Sequence, residues 1–317
     1  MENSKKYYVG IDLGGTFIKG GIADAEGNIL VNDKIPTESE KGASGVAQNI
    51  AKLAKSLMEK CSLTTADIVG LGIGVPGMID SKNGEVVYSN NLGWEHFFIS
   101  EEVEKLTGLP VKIANDANVA AIGETKFGCG KEYENTILIT LGTGVGGGIV
   151  IDGKLFEGNR SAGAELGHSV IVAGGEPCTC GRKGCLEAYA SATALIRDTK
   201  RAMQANKDSK MWEIGSLDSV TGKTAFDYAE CDESAKAVVE NYIEKLGVGL
   251  TNLANEFRPQ AIILGGGVCA QGDNLLNPLQ EFINKEIFAG EKGPQVKLLI
   301  ATLGNSAGLL GAVALWL

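Results

Sequence analysis

Two stretches decide the reading of this chain: Val9–Gly27 (VGIDLGGTFIKGGIADAEG) and Ile137–Gly153 (ILITLGTGVGGGIVIDG). They are one device written twice. In each, a short β-rich run ends in glycines, a second run follows, and a turn closes the hairpin, at Glu26-Gly27-Asn28 in the first copy and Asp152-Gly153 in the second. A duplicated β-hairpin module, opening each of two domains, explains both copies economically. The first copy predicts strands at Tyr7–Leu13, Phe17–Ala23 and Ile29–Ile35. The second predicts strands at Thr136–Leu141 and Ile149–Ile151, with Gly142–Gly148 as the turn between them.

Outside the hairpins, strand and helix patterns alternate, which marks an α/β protein. Val46, Ile50, Leu53, Ala54 and Leu57 give helical spacing over Gly45–Cys61, and Ile68–Val75 is an apolar strand closed by Pro76-Gly77. A helix is expected at Phe98–Leu106, a strand at Val111–Ala114 delivering Asn115-Asp116, and a helix at Ala117–Phe127. Ala235, Val238, Tyr242, Leu246, Leu250, Leu253 and Phe257 mark a long amphipathic helix. It precedes the strand Ala261–Leu264, the glycine turn Gly265–Gly267, a strand at Val296–Leu303 and a helix at Ser306–Trp316. No hydrophilic linker interrupts the chain. The boundary is therefore placed near Asp116, giving an N-terminal domain of residues 1–116 plus 304–317 and a C-terminal domain of residues 117–303.

Composition excludes several classes. The chain of 317 residues has a net charge of −10 and 44% hydrophobic residues. It lacks the basic footprint of a nucleic-acid binder and any apolar run of membrane-span length, so neither partner is expected. Its amino terminus shows no secretory h-region. Seven cysteines, an odd number and mostly without pairing pattern, fit a reducing, cytoplasmic setting. Lys5-Lys6 and the Lys200–Lys210 patch read as solvated charge, and His96 as an exposed residue with no visible partner.

Four motifs carry chemistry. Asp12-Leu13-Gly14-Gly15-Thr16 brings backbone N–H groups close to an anion and offers a carboxylate to Mg²⁺, although an ordinary hairpin turn would look similar. Gly142-Thr143-Gly144-Val145-Gly146-Gly147 contains G-x-G-x-x-G, but a β-branched run follows where a dinucleotide site needs a helix, so that reading fails. Gly265-Gly266-Gly267 follows an apolar strand and suits the base or ribose of a nucleotide, with a tight strand-to-helix connection as the plainer use. Asn115-Asp116-Ala117-Asn118 opens a helix. Asp116 there could take a proton from an attacking hydroxyl, with an N-cap as the plainer use; it could do both only if its side chain faced the cleft, so Asn115 or Asn118 would have to supply the cap.

The densest segment is Glu165–Glu187, with AELGH and then CTCGRKGCLE. One imidazole (His168) and three thiolates (Cys178, Cys180, Cys185) make the His/Cys₃ set that a structural zinc takes in a tetrahedron. A disulfide with a spare thiol, or three unrelated cysteines, are the competing readings. Zinc is favoured because Cys61, Cys129, Cys231 and Cys269 are scattered without motif. Glu165 and Glu187 flank the cage without being needed by it, which leaves them for another ligand.

These motifs, in this order, resemble the ROK family of repressors, open reading frames and sugar kinases, and its bacterial glucokinases most of all. The resemblance runs from about Tyr7 to Trp316. It implies a two-domain sugar kinase/Hsp70/actin-like (ribonuclease H-like) α/β fold with an interdomain cleft. By position it places Gly77, Asn91, Asn115, Asp116, Glu165, His168 and Glu187 on a sugar, with Asp116 as the base. ATP falls to Asp12, Gly14, Gly15, Thr16, Gly142, Thr143, Gly144, Gly265, Gly266 and Gly267, with Mg²⁺ near Asp12. Phe17 departs from the polar residue many relatives carry after the threonine. The implied activity is ATP-dependent phosphorylation of glucose at the 6-hydroxyl, with N-acetylmannosamine, N-acetylglucosamine, mannose and fructose as alternative acceptors.

 Glucose is the acceptor the resemblance favours, and those four hexoses stand beside it. A non-catalytic sugar-sensing regulator and an actin- or Hsp70-like ATPase are the rivals from other classes. The resemblance also implies a homodimer.

Overall fold

The computed structural model describes residues 6–317, so Lys5 of the Lys5-Lys6 pair lies outside the described residues. The chain divides into two compact units. One holds the chain up to Glu134 together with Gly148–Ala164 and Thr302–Leu317; the other holds Asn135–Gly147 and Glu165–Ala301.

The first five-stranded sheet contains β1 (Tyr7–Leu13), β2 (Phe17–Ala23), β3 (Ile29–Pro36), β4 (Ile68–Val75) and, after a small sheet of β5 (Met78–Asp80), β6 (Glu85–Ser89) and β7 (Trp94–Phe97), the strand β8 (Val111–Asn115). Its order is β3-β2-β1-β4-β8. The hairpin strands pair antiparallel, while β1, β4 and β8 run parallel. The second sheet contains β9 (Thr136–Leu141), β10 (Val145–Ile151), β11 (Lys154–Phe156), β12 (Ala261–Gly265) and β13 (Lys297–Ile300), in the order β11-β10-β9-β12-β13. Here too the β10–β11 hairpin is antiparallel and β9, β12 and β13 are parallel. The two orders are the same topology repeated.

The helices repeat as well. In the first half α1 (Gly42–Lys60) leads into β4, α2 (Ile99–Thr107) into β8, and α3 (Asp116–Phe127) follows β8. After α4 (Glu187–Ala190), α5 (Ala192–Ala205) and α6 (Thr224–Tyr228), the helix α7 (Glu233–Phe257) leads into β12. Then α8 (Asp273–Glu286) leads into β13, and α9 (Ala307–Ala314) follows it. In the first unit α1 buries Val46, Ile50, Leu53 and Leu57 against Val9, Ile11, Ile18 and Ile22. On the other side of β1, Leu309, Leu310 and Val313 of α9 join Tyr8 and Ala23. A side chain on Gly10 or Gly72 would run into the α9 backbone, so these strand glycines let the helix lie directly on the sheet.

Several expectations shift. β10 begins at Val145, so Gly146–Gly148 belong to the strand and not to the turn. Gly147 makes room for Leu166 and Gly148 for Ala117 and Asn118, which explains glycine there by packing. β13 is shorter than Val296–Leu303. The N–H groups of Thr302 and Leu303 donate instead to the buried carboxylate of Glu124, at 3.1 and 2.8 Å. The expected boundary near Asp116 separates α3 from the first domain, yet α3 packs with α9 in the first unit. Gly123 and Gly311 bring the two backbones together there. The terminal helix does return to that unit, as expected.

Candidate functional site

In the first unit the β4–β5 turn, the β8–α3 junction and the first glycine turn each present one group. Gly77 has φ 119°, and a Cβ there would collide with the Tyr88 carbonyl, so only glycine makes this turn. Its carbonyl accepts from Asn115 Nδ2 at 3.0 Å. Asn115 Oδ1 in turn accepts from the N–H groups of Ala117 and Asn118, at 2.9 and 3.4 Å, and so caps α3. Asp116, the first residue of the helix, is exposed and accepts from the Ala117 N–H at 2.9 Å. The cap therefore comes from Asn115, and the Asp116 side chain stays exposed beside it. Asn118 is buried at the same helix start, its Oδ1 without a hydrogen-bond partner among the described residues.

The β1–β2 turn is pinned by a residue the sequence reading passed over. Thr37 is fully buried; its Oγ1 donates to the Gly14 carbonyl at 2.6 Å and its N–H to the Thr16 carbonyl at 2.9 Å. Gly15 faces the Asn91 carbonyl, and a Cβ built on it would stand 3.8 Å away. Asp12 is partly exposed, 3.6 Å from Lys19 Nζ. It lies so close to Gly308 of α9 that a Cβ there would sit 2.6 Å from the Asp12 Cγ. A partly exposed carboxylate beside an anion-accepting turn suits a hydrated Mg²⁺.

In the second unit the other two glycine turns touch. Gly266 has φ 92°, and a Cβ there would meet the backbone of Leu141, so the third turn rests on the end of β9. Gly142 and Gly267 have open space on their Cβ side, as a closely approaching ligand requires. The second turn is anchored to the start of α5: the Ala192 N–H donates to the Gly142 carbonyl at 2.8 Å, and Thr193 Oγ1 to the Thr143 carbonyl at 2.8 Å.

Also in this unit, His168, Cys178, Cys180 and Cys185 converge with their ligand atoms all within 4.8 Å of one another. His168 Nδ1 is 3.6 Å from Cys178 Sγ, and Cys180 Sγ is 3.7 Å from Cys185 Sγ. Zinc bonds of about 2.3 Å to sulfur and 2.0–2.1 Å to nitrogen give tetrahedral edges of about 3.8 Å (S···S) and about 3.6 Å (N···S). The residues fit the ion, and the sulfur separation is far beyond a disulfide bond. Gly181 and Gly184 turn the knuckle with φ 86° and 85°. Burial pushes the Cys185 thiol up to about 12, and the neighbouring sulfurs add to it. A bound cation reverses that penalty by stabilising thiolate.

Glu187 opens α4 beside the cage. Oε1 accepts from Thr179 Oγ1 at 2.8 Å and Oε2 from the Val145 N–H at 3.0 Å. Burial raises its carboxyl, but those hydrogen bonds and the nearby His168 outweigh it and hold the group below its ordinary value. Glu165 is exposed, and its carbonyl accepts from the His168 N–H at 3.0 Å, so the carboxylate and the His168 imidazole share one helical turn. His96 is exposed as expected but not partnerless, since Nδ1 lies 2.8 Å from Glu85 Oε1.

Comparison with known proteins agrees with this architecture. The ROK family model matches residues 8–317. A glucokinase of Halalkalibacterium halodurans is 38% identical over 315 residues, covering 97% of this chain and 94% of that protein. Among solved structures, the ROK family glucokinase from Streptomyces griseus in complex with glucose and AMPPNP superposes with a TM-score of 0.77 at 38% identity, covering 98% of both chains. The ROK hexokinase from Thermus thermophilus gives 0.81 at 33% identity over 97% of both. With its duplicated sheet topology and a full-length family match, the chain belongs to the ROK family and has the actin-like, ribonuclease H-like α/β fold.

Proposed function

We infer that this protein transfers the γ-phosphoryl group of ATP to the 6-hydroxyl of glucose, giving glucose 6-phosphate and ADP. The observation that carries the reading is the division of labour at α3. Asn115 takes the helix cap, so the carboxylate of Asp116 stays exposed at a strand end where it can accept the hydroxyl proton. The identity of 38% to a glucokinase along nearly the whole chain supports the substrate.

Gly77, Asn91 and Asn115 in the first unit, and Glu165, His168 and Glu187 in the second, are the residues assigned to the sugar. The turns at Asp12–Thr16, Gly142–Gly144 and Gly265–Gly267 are assigned to ATP, their N–H groups offsetting the charge of a loose transition state. Asp12 would hold Mg²⁺, which supplies charge neutralisation to the phosphates. His168, Cys178, Cys180 and Cys185 would hold zinc, which with four protein ligands supplies rigidity alone. Through it the cage fixes the side chain of His168 and, two residues beyond Cys185, that of Glu187.

A homodimer in the cytoplasm completes the reading. All seven cysteines are free, and no helix among the described residues is long and apolar enough to cross a membrane. Coupled detection of ADP over glucose, mannose, fructose, N-acetylglucosamine and N-acetylmannosamine, with ATP and with polyphosphate as donors, tests it. Turnover highest on another hexose would replace the substrate. ATP hydrolysis independent of any sugar would refute the class.

A further inference from the structure

We propose that the segment Glu157–Ala164 is a strained latch that positions Glu165, and that Ser81, Glu157 and Ser161 are its positioning residues; the role for Glu165 rests on the function inferred above. Among the described residues, nine non-glycine positions have positive φ, and three of them fall in this one segment: Arg160 at 51°, Ser161 at 56° and Ala164 at 61°. Left-handed backbone is disfavoured for each of these side chains. Such clustering persists only where surrounding contacts over-determine it.

Hydrogen bonds supply that constraint. The Gly163 N–H donates to the Glu157 carbonyl at 2.8 Å, closing the neck of a loop, and Gly158 meets Gly163 there without side chains. Ser81 Oγ donates to Glu157 Oε2 at 2.8 Å and lies 2.7 Å from Ser161 Oγ, while the Ser81 N–H donates to that same oxygen at 3.3 Å. Arg160 Nε donates to the buried carboxylate of Asp80 at 3.1 Å. The bonds that hold the segment are polar. None of residues 157–164 is buried, and the loop borders a cavity of about 560 Å³ lined by Asp80–Asn83, Leu155 and its own Glu157–Ser161. The latch is therefore polar, and its anchor, β5 with the turn after it, begins one residue beyond Gly77. Ala164 is the last strained position, and the next residue is Glu165. A fixed neck and a fixed left-handed Ala164 set the direction in which Glu165 leaves the loop.

Two variants test this. Ala164→Gly keeps every hydrogen bond and removes only the strain; Ser81→Ala keeps the strain and removes the latch. A positioning role raises the glucose KM about tenfold in both, with the ATP KM unchanged. In Ala164→Gly it does so without lowering the melting temperature, which a merely structural role would not allow. The second readout needs no activity: trypsin cuts after Arg160, whose side chain is 68% exposed, only when the loop opens. Ser81→Ala should be cut there about tenfold faster than wild type. Glucose KM values within about twofold of wild type in both variants, or equal cleavage rates, would overturn the proposal. A wild-type protein inert towards hexoses would refute the function instead, and the cleavage ratio would still decide the latch.

Discussion

Gly308→Ala isolates the assignment of Asp12 from the general stability of the fold. The added methyl would lie 2.6 Å from the Asp12 Cγ, 2.8 Å from its Cβ and 3.0 Å from Oδ1. Ordinary carbon contacts lie at about 3.5–4.0 Å, so something must move by roughly 1 Å. The Asp12 backbone cannot yield easily, because it is paired with Lys19 of β2 on one side and Gly74 of β4 on the other. The carboxylate therefore swings. A displacement of about 1 Å in a positioned group lowers the rate by up to about a hundredfold. Stability responds to two opposing terms. Alanine in place of a helical glycine gains up to about 1 kcal/mol, and overpacking costs about 1–3 kcal/mol. The net loss is thus about 0–3 kcal/mol, too little to unfold the enzyme. The assay is kcat/KM for ATP over a Mg²⁺ titration, with glucose affinity by calorimetry and a thermal melt on the same samples. The expected pattern is poor use of MgATP, unchanged glucose affinity and a melt lowered by at most about 10 °C. A kcat/KM for ATP within about threefold of wild type would refute the placement of Asp12 at the metal.

Asp116→Asn should lower kcat by about two orders of magnitude or more while leaving the glucose dissociation constant near wild type; turnover within about threefold would remove Asp116 as the base. Stripping with a strong chelator, or Cys180→Ser, should release close to one zinc per chain and abolish glucose binding while ATP binding survives, as metal analysis and calorimetry would show; an active, metal-free enzyme would sink that idea. Hydrogen bonds from Asn83, with Arg160 beside them, hold the buried Asp80 carboxyl below its ordinary value despite burial. Its stabilisation is present above the unfolded carboxylate range and lost as pH falls through the lower folded value. Asp80→Asn should therefore melt below wild type at neutral pH, and the gap should close in strong acid; a gap that widens in acid would contradict the sign.

Much of this was legible because the signals are local. A glycine turn between two β-branched runs needs only neighbours in sequence, so both hairpins and the knuckle could be read directly. What escaped depends on partners far along the chain. Gly123 and Gly311 carry α3 into the first unit by admitting another helix, which no spacing announces. Glu124 shortens β13 because a carboxylate 178 residues away in sequence takes the Thr302 N–H. The short strands β5–β7 were not anticipated, since runs of three to five residues carry little periodicity. Thr37 gave no sign at all; a threonine at a strand end is unremarkable until its two bonds to the glycine turn are seen.

The placement of α9 has a consequence for how the molecule is made. The surface of the first sheet that carries Gly10 and Gly72 is covered by Thr302–Leu317, yet everything in the second unit is translated in between. At about 5–20 residues per second, the early-made half waits on the order of tens of seconds with that face open to solvent or to a chaperone. The second unit has all its pieces by Ala301 and can close first. A premature stop just before Thr302 would therefore not yield a slightly shortened enzyme. It would leave a finished second unit tethered to a sheet stripped of the helix over β1 and β2, a substrate for aggregation or degradation.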